Sequence, residues 1–331
     1  MQYKRREFLG ATAAVTVGGL AGCLGQRESD VVRVGYVPVY PNLQHFVMDE
    51  AGHYDELPVE IGYEKFDTGT GLNTAFAAGD IDIGHFAIVP AFSLVQQDQQ
   101  VRALAVNNVN GIKLLGSEAV AECHREHGNS FLDAYQEQHG RPRIAIPGGK
   151  GGAPHLVVHR WITAELGYDR LDAVLEERDV APPRTVEAIH QGEVDLVANQ
   201  EPFATSITRD PGYTSVAWSG EIIENHPLSV MLANGRVRED TDLRTELLDR
   251  HRDATELIRA EPETAASHAA SGMGIGDELA QAVTTSRAYD FETSPDGLRS
   301  SVETIGDILV ELEIIDQAPT AEELFASDVL E

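Results

Sequence analysis

Residues 77–87, AAGDIDIGHFA, and residues 190–200, HQGEVDLVANQ, share one pattern. Gly79-Asp80-Ile81-Asp82-Ile83 matches Gly192-Glu193-Val194-Asp195-Leu196: glycine, acid, aliphatic, aspartate, aliphatic. A glycine in this setting ends a helix, and the aliphatics after it fit a short buried strand. The same reading therefore applies twice in one chain.

The match extends backward from both copies. The first unit reads as a strand over 32–37, a helix over about 42–52, a strand over 59–63, the loop DTGTG, a helix over 72–78 and the strand over 81–84. The second reads as a strand over 143–146, the loop PGGKGGAP and a helix over 155–166. A strand over 173–177, the loop RDVAPPR, a helix over 185–191 and the strand over 194–197 complete it. Two βαβαβ units predict an α/β protein of two parallel-sheet lobes with right-handed crossovers. Loops that follow parallel strands gather on one edge, so two facing edges make a ligand cleft.

After about residue 240 the pattern changes. Stretches 242–270 and 294–315 read as amphipathic helices with acidic outer faces, packed around the first lobe. Pro295 suits a first helical turn. Stretches near 104–116 and 219–235 are the expected crossings between lobes. The resulting division is lobe 1 over 31–110 and 225–331 and lobe 2 over 111–224, an insertion in the first.

The stretch IPGGKGGAPHLVVHRW, residues 146–161, sits where a predicted strand gives way to a helix. Glycines 148, 149, 151 and 152 allow bare N–H groups to approach a ligand, and Pro154 suits the first helical turn. A helix start contributes roughly half a positive charge and Lys150 a full one. Together they read as a cradle for an oxyanion or carboxylate, or else as a merely flexible turn. A Walker A loop is ruled out, because Gly151 and not Ser or Thr follows Lys150. Only three lysines remain beyond residue 22, namely Lys65, Lys113 and Lys150.

The repeat nominates partner loops. PVYPN offers Tyr40, set between two prolines and read as facing the cleft. DTGTG offers Gly69, Thr70 and Gly71 at a helix start, with Leu72 next. Gly84-His85-Phe86 enters the cleft after the third strand, with Phe86 either stacking on the ligand or plugging the core. ANQEPF offers Glu201, which either accepts from a ligand amine or caps the helix after it. In the glycine loop, Lys150, Gly151, Gly152 and Ala153 complete the set.

The two ends of the chain and its charge say where it works. Lys4, Arg5 and Arg6 precede an apolar stretch from Phe8 to Leu20, too short to span a membrane comfortably. Arg5-Arg6 with Phe8-Leu9 resembles a twin-arginine export signal, and Leu20-Ala21-Gly22-Cys23 resembles a lipobox. The expectation is a signal over 1–22, lipidation at Cys23, a tether over 23–30 and an anchored protein outside the cytoplasm. The formal net charge is −29, and residues 1–22 carry +3 from Lys4, Arg5 and Arg6 and −1 from Glu7, so the remainder sits at −31. Such a surface repels nucleic acid. It suits an exported protein of a salt-loving organism, because molar salt shortens the Debye length to about 3 Å. Once Cys23 is lipidated, Cys123 has no partner for a disulfide. Cys123, His124 and His127 are read as a solvated helix, and His155 with His159 as structural; no metal or other cofactor is expected.

With these residues in hand, the chain resembles the NitT/TauT-type substrate-binding proteins of ABC importers. That group includes nitrate, taurine and alkanesulfonate binders and thiamine-pyrimidine-precursor binders. The resemblance rests on VRVGYVPV, TGTGLNTAFAAGDIDIGHFA, GGKGGAPHLVVHRW, ANQEPFAT and HPLSVMLAN. It implies the type II periplasmic-binding-protein fold with an interlobe hinge, a small anionic or zwitterionic solute, and permease and ATPase partners. The same ligand loops carry over: Tyr40, Gly69 to Leu72, His85, Lys150 to Ala153 and Glu201. The rival class is an enzyme of thiamine-pyrimidine synthase type on the same fold. Those enzymes carry a cysteine-rich iron motif that is absent from this sequence, and they work inside the cell.

Overall fold

The computed structural model describes residues 31–98, 100–286 and 288–326. The proposed signal, the Cys23 lipobox and the tether lie outside the described residues. The described chain contains eleven strands. They are β1 (Val31–Tyr36), β2 (Glu60–Lys65), β3 (Ile83–Ala87), β4 (Arg102–Asn110), β5 (Lys113–Ser117) and β6 (Arg143–Ala145). β7 (Glu176–Arg178), β8 (Leu196–Asn199), β9 (Tyr213–Trp218), β10 (Pro227–Ala233) and β11 (Tyr289–Phe291) follow.

These strands form two sheets, ordered β11-β4-β10-β3-β1-β2 and β7-β6-β8-β5-β9. In the first, β2 and β3 flank β1 in parallel and β10 runs antiparallel to β3. In the second, β7 and β8 flank β6 in parallel and β5 runs antiparallel to β8. The two halves therefore share one arrangement, each closed by an antiparallel strand next to a crossing.

The repeated motif does the same work in both. Gly79 (φ 80°) and Gly192 (φ 68°) adopt the left-handed conformation that ends the helices Gly69–Ala77 and Arg184–His190. The aspartate three residues later ties its strand to a neighbour. Asp82 accepts the Arg33 N–H at 2.9 Å through its carboxylate, and its own N–H donates to the Arg33 carbonyl at 2.9 Å. Asp195 repeats this with Arg143, at 2.8 Å in each direction.

Several expected boundaries move. β3 and β8 begin two residues later than expected, because the aspartates occupy the strand entry and the polar residues beyond stay inside. His85 and Asn199 are buried and hydrogen-bonded to other side chains. The expected strand over 173–177 is split into a helical turn, Leu171–Val174, and β7. Leu171 and Val174, three apart, both face inward. The first-unit helix divides into a 3-10 turn, Tyr40–Asn42, and the helix Leu43–Glu50.

A continuous apolar core spans both sheets, from Val34, Ile83, Leu104 and Val230 to Leu114, Leu156 and Leu196. A smaller cluster of Leu115, Ile189, Val197 and Ile207 fills the other face of the second sheet. The chain crosses between sheets at Gly111-Ile112 and again over 223–226. Both crossings turn through asparagine, Asn110 (φ 64°) and Asn225 (φ 53°). The Asn110 N–H donates to the His226 carbonyl at 2.8 Å and so joins the two crossings.

The helix Thr241–Ala260 packs on Leu43–Glu50, burying Leu243, Leu247, Ala254 and Ile258 at helical spacing. Later helices do not stay with the first sheet alone. Asp277–Thr284 contacts Phe203–Thr208, with Arg209 and Glu278 3.6 Å apart. Arg299–Glu311 contacts Ala153–Arg160, with His159 and Glu311 3.4 Å apart. Pro295 lies ahead of that helix, in the turn its carbonyl closes with the Leu298 N–H. No described helix is long and apolar enough to cross a membrane.

Candidate functional site

The loops after β1, β2 and β3 leave one edge of the first sheet, and those after β6, β7 and β8 leave one edge of the second, as parallel strands require. These edges meet. The Tyr40 N–H, after β1, donates to the Glu201 carbonyl, after β8, at 3.3 Å.

At the second edge, Gly148 (φ 81°) and Gly149 (φ 51°) bend the chain into a 3-10 turn, Gly149–Gly151. Gly152 then opens the helix Ala153–Arg160, with Pro154 in its first turn. A Cβ on Gly152 would lie 2.5 Å from the Pro147 carbonyl oxygen, so only glycine fits there. The amides are less bare than the sequence suggests. Gly148 N–H donates to the Asp179 carboxylate at 3.1 Å, and Gly149 and Gly152 donate to carbonyls within the loop. Lys150 and Gly151 are exposed, and Ala153 is buried at the helix start.

Behind this loop, His155 and Glu177 stand 3.3 Å apart. Burial pushes the His155 imidazole down to about 4, and the charges of His159 and Lys150 push the same way. Burial raises the Glu177 carboxyl, against the pull of Lys150. Both histidines of this helix thus stand beside carboxylates, His155 beside Glu177 and His159 beside Glu311. Among the described residues no group of three or more His, Cys, Asp or Glu side chains could hold a metal ion.

At the first edge, Thr68 caps the helix Gly69–Ala77 by accepting the Gly71 N–H at 3.2 Å. Gly69 and Thr70 are exposed. Leu72 instead turns inward and packs over Gly35, where a Cβ would run into it.

Other nominated residues take internal roles. Tyr40 is buried, its hydroxyl donating to Thr284 at 2.9 Å and its ring 5.7 Å from those of Tyr289 and Phe291. Phe86 belongs to the core, edge-on to Phe76 at 5.2 Å. His85 does not reach the edge. Its Nδ1 accepts from Asn107 at 3.2 Å, and Asn107 also bonds Ser229 and His251. Burial lowers the His85 imidazole to about 4. Glu201 is fully buried; one carboxylate oxygen pairs with Lys113 at 2.9 Å and the other accepts the Thr205 N–H at 2.8 Å. Of its two readings, the structure realises the helix cap. Sequence reasoning missed Lys113, Asp179 and Tyr289; the scarcity of lysine was the one signal that pointed at Lys113.

Among solved structures, a ligand-binding component of an ABC-type import system from Staphylococcus aureus, with zinc bound, is similar at TM-score 0.75 and 12% identity, over 90% of this chain and 97% of that one. The periplasmic nitrate-binding protein NrtA from Synechocystis PCC 6803 is similar at TM-score 0.74 and 13% identity, over 91% and 87%. The alkanesulfonate-binding protein SsuA from Xanthomonas axonopodis pv. citri, bound to MOPS, is similar at TM-score 0.67 and 15% identity, over 92% and 99%. The fold is thus that of the type II periplasmic binding proteins, two α/β lobes joined by a double crossing. No curated protein sequence matches. Residues 25–272 match the family model described as NMT1-like, most of the chain. The chain is a member of the NMT1-like family.

Proposed function

We propose that this protein is the extracytoplasmic solute receptor of an ABC importer. It captures a small anionic or zwitterionic solute between the facing edges of its lobes and delivers it to a permease served by ATPase subunits. The observation that carries this reading is the Tyr40–Glu201 main-chain bond, which brings the loops after the parallel strands of both sheets together. The structural neighbours, a ligand-binding component of an ABC-type import system and the nitrate- and alkanesulfonate-binding proteins, support it.

The ligand groups are the exposed helix start at Gly69 and Thr70 on one lobe, and Lys150 with the Gly151 and Ala153 amides on the other; Gly71 and Gly152, whose N–H groups go to Thr68 and Gly149, shape the two turns. Micromolar capture requires about −8 kcal/mol. One helix start supplies at most roughly 2 kcal/mol, so both lobes must contribute. Leu72 braces the first of these helix starts, packed over Gly35, and the main chains of Tyr40 and Glu201 join the two edges.

Export through a twin-arginine signal, lipidation at Cys23 and adaptation to high salt belong to the same reading. They rest on residues 4–23 and on the net charge of −29. A thermal-shift panel of nitrate, taurine, alkanesulfonates, carboxylates and pyrimidines in molar salt tests the function. A saturable rise in melting midpoint with one of these solutes is expected. No shift with any of them contradicts solute capture.

A further inference from the structure

We propose that Tyr289 is the positioning residue that sets the angle between the lobes. The inference rests on the solute-capture reading for its consequence, since the lobe angle controls how the two ligand edges meet.

Tyr289 opens β11, an edge strand of the first sheet, and pairs in register with Asn110, the last residue before the first crossing. Its ring lies against Gly111 (φ 105°), where any Cβ would collide with it. Its hydroxyl accepts the N–H of Glu201, from the other lobe, at 2.8 Å. The Glu201 carbonyl in turn accepts the Tyr40 N–H, and the rings of Tyr40 and Tyr289 stand 5.7 Å apart. The Glu201 carboxylate is held by Lys113, two residues past Gly111. Next to Tyr289, the Ala288 carbonyl accepts from Trp218 Nε1 at 3.2 Å, where β9 leads toward the second crossing.

One short strand of the first lobe thus bears on the first crossing, on the Glu201 turn and on the approach to the second crossing. Rotation about residues 111–112 and 223–226 must carry the Glu201 turn past the Tyr289 hydroxyl. That hydroxyl satisfies a buried N–H, so it favours the lobe angle at which the bond forms.

The test needs no solute, so its failure is separate from a failure of the solute-capture reading. Spin labels are placed on Asp67→Cys and Ala181→Cys, both exposed and after β2 and β7, in the full chain with Cys23→Ser and Cys123→Ala. Double electron–electron resonance then reads the interlobe distance. Tyr289→Phe, which keeps the ring on Gly111, is expected to broaden the distribution and add a second population. Tyr40→Phe, which loses only the bond to Thr284, is expected to leave it unchanged. A Tyr289→Phe protein that melts earlier but keeps the parent's distribution overturns the proposal. Should Tyr289→Phe fail to fold, Trp218→Phe decides by the same criterion, with broadening expected and an unchanged distribution overturning it.

Discussion

The Asp195 carboxylate accepts three hydrogen bonds from Arg143, from the main-chain N–H at 2.8 Å, Nε–H at 2.9 Å and Nη2–H at 2.8 Å. The pair locks β8 beside β6, as Asp82 locks β3 beside β1. Burial alone would raise the Asp195 carboxyl, but the Arg143 guanidinium and amide hold it below the usual range. Asp195→Ala is expected to cost about 2 kcal/mol by urea denaturation. Because the folded carboxyl is the stronger acid, this contribution is present above the ordinary carboxyl range and is lost as pH falls through the folded value. The difference between parent and variant should shrink in acid.

Five buried histidines make the fold sensitive to mild acid, among them His45, which burial and then the neighbouring His85 hold well below the ordinary imidazole range. Burial lowers His85, His155 and His226 to about 4 and His251 to about 3. An unfolded histidine titrates near 6.5, so the unfolded chain takes up protons first as pH drops. Stability from these groups is complete above about pH 6.5 and is lost as pH falls toward 4, on the order of 2 kcal/mol per histidine at pH 5. Melting midpoints measured from pH 7 to pH 5 should fall steeply, and His226→Gln should flatten the slope. An equal slope in parent and variant would remove His226 from this account.

Salt should stabilise the protein. A net charge of −29 repels itself in dilute buffer, and raising ionic strength from 0.1 M to 1 M shortens the Debye length from about 10 Å to about 3 Å. The melting midpoint in potassium chloride should climb across that range. A flat or falling midpoint would mean that local pairs, and not the summed charge, govern stability.

The glycine loop separates two neighbouring positions. Gly152→Ala drives a Cβ into the Pro147 carbonyl and should cost about 1–3 kcal/mol, with weaker solute binding. A Cβ at Gly151 would meet nothing within 4 Å, so Gly151→Ala should leave the melting midpoint near that of the parent. Equal losses at both positions would contradict the close approach at Gly152.

The repeat was legible because its features are local. A left-handed glycine and an aspartate that bonds the adjacent strand leave the same five-residue trace twice. The glycine turn with Pro154 in the first helical turn was legible for the same reason. His85 is expected at the edge, and Glu201 is left between a ligand amine and a helix cap, yet both side chains are held inside by partners remote in sequence. His85 depends on Asn107 and Glu201 on Lys113, and no periodicity reports such pairs. The reach of the last helices across both lobes was hidden for a similar reason. Glu311 looks like any solvated acid until His159 stands opposite it.

The most direct test of the central claim is calorimetric affinity for whichever solute of the panel binds, compared between the parent and Lys150→Ala. Capture between the lobes predicts at least tenfold weaker binding by a variant that melts at the parent's temperature, about 1.4 kcal/mol. An unchanged affinity would mean that the solute is not held at the glycine-loop edge.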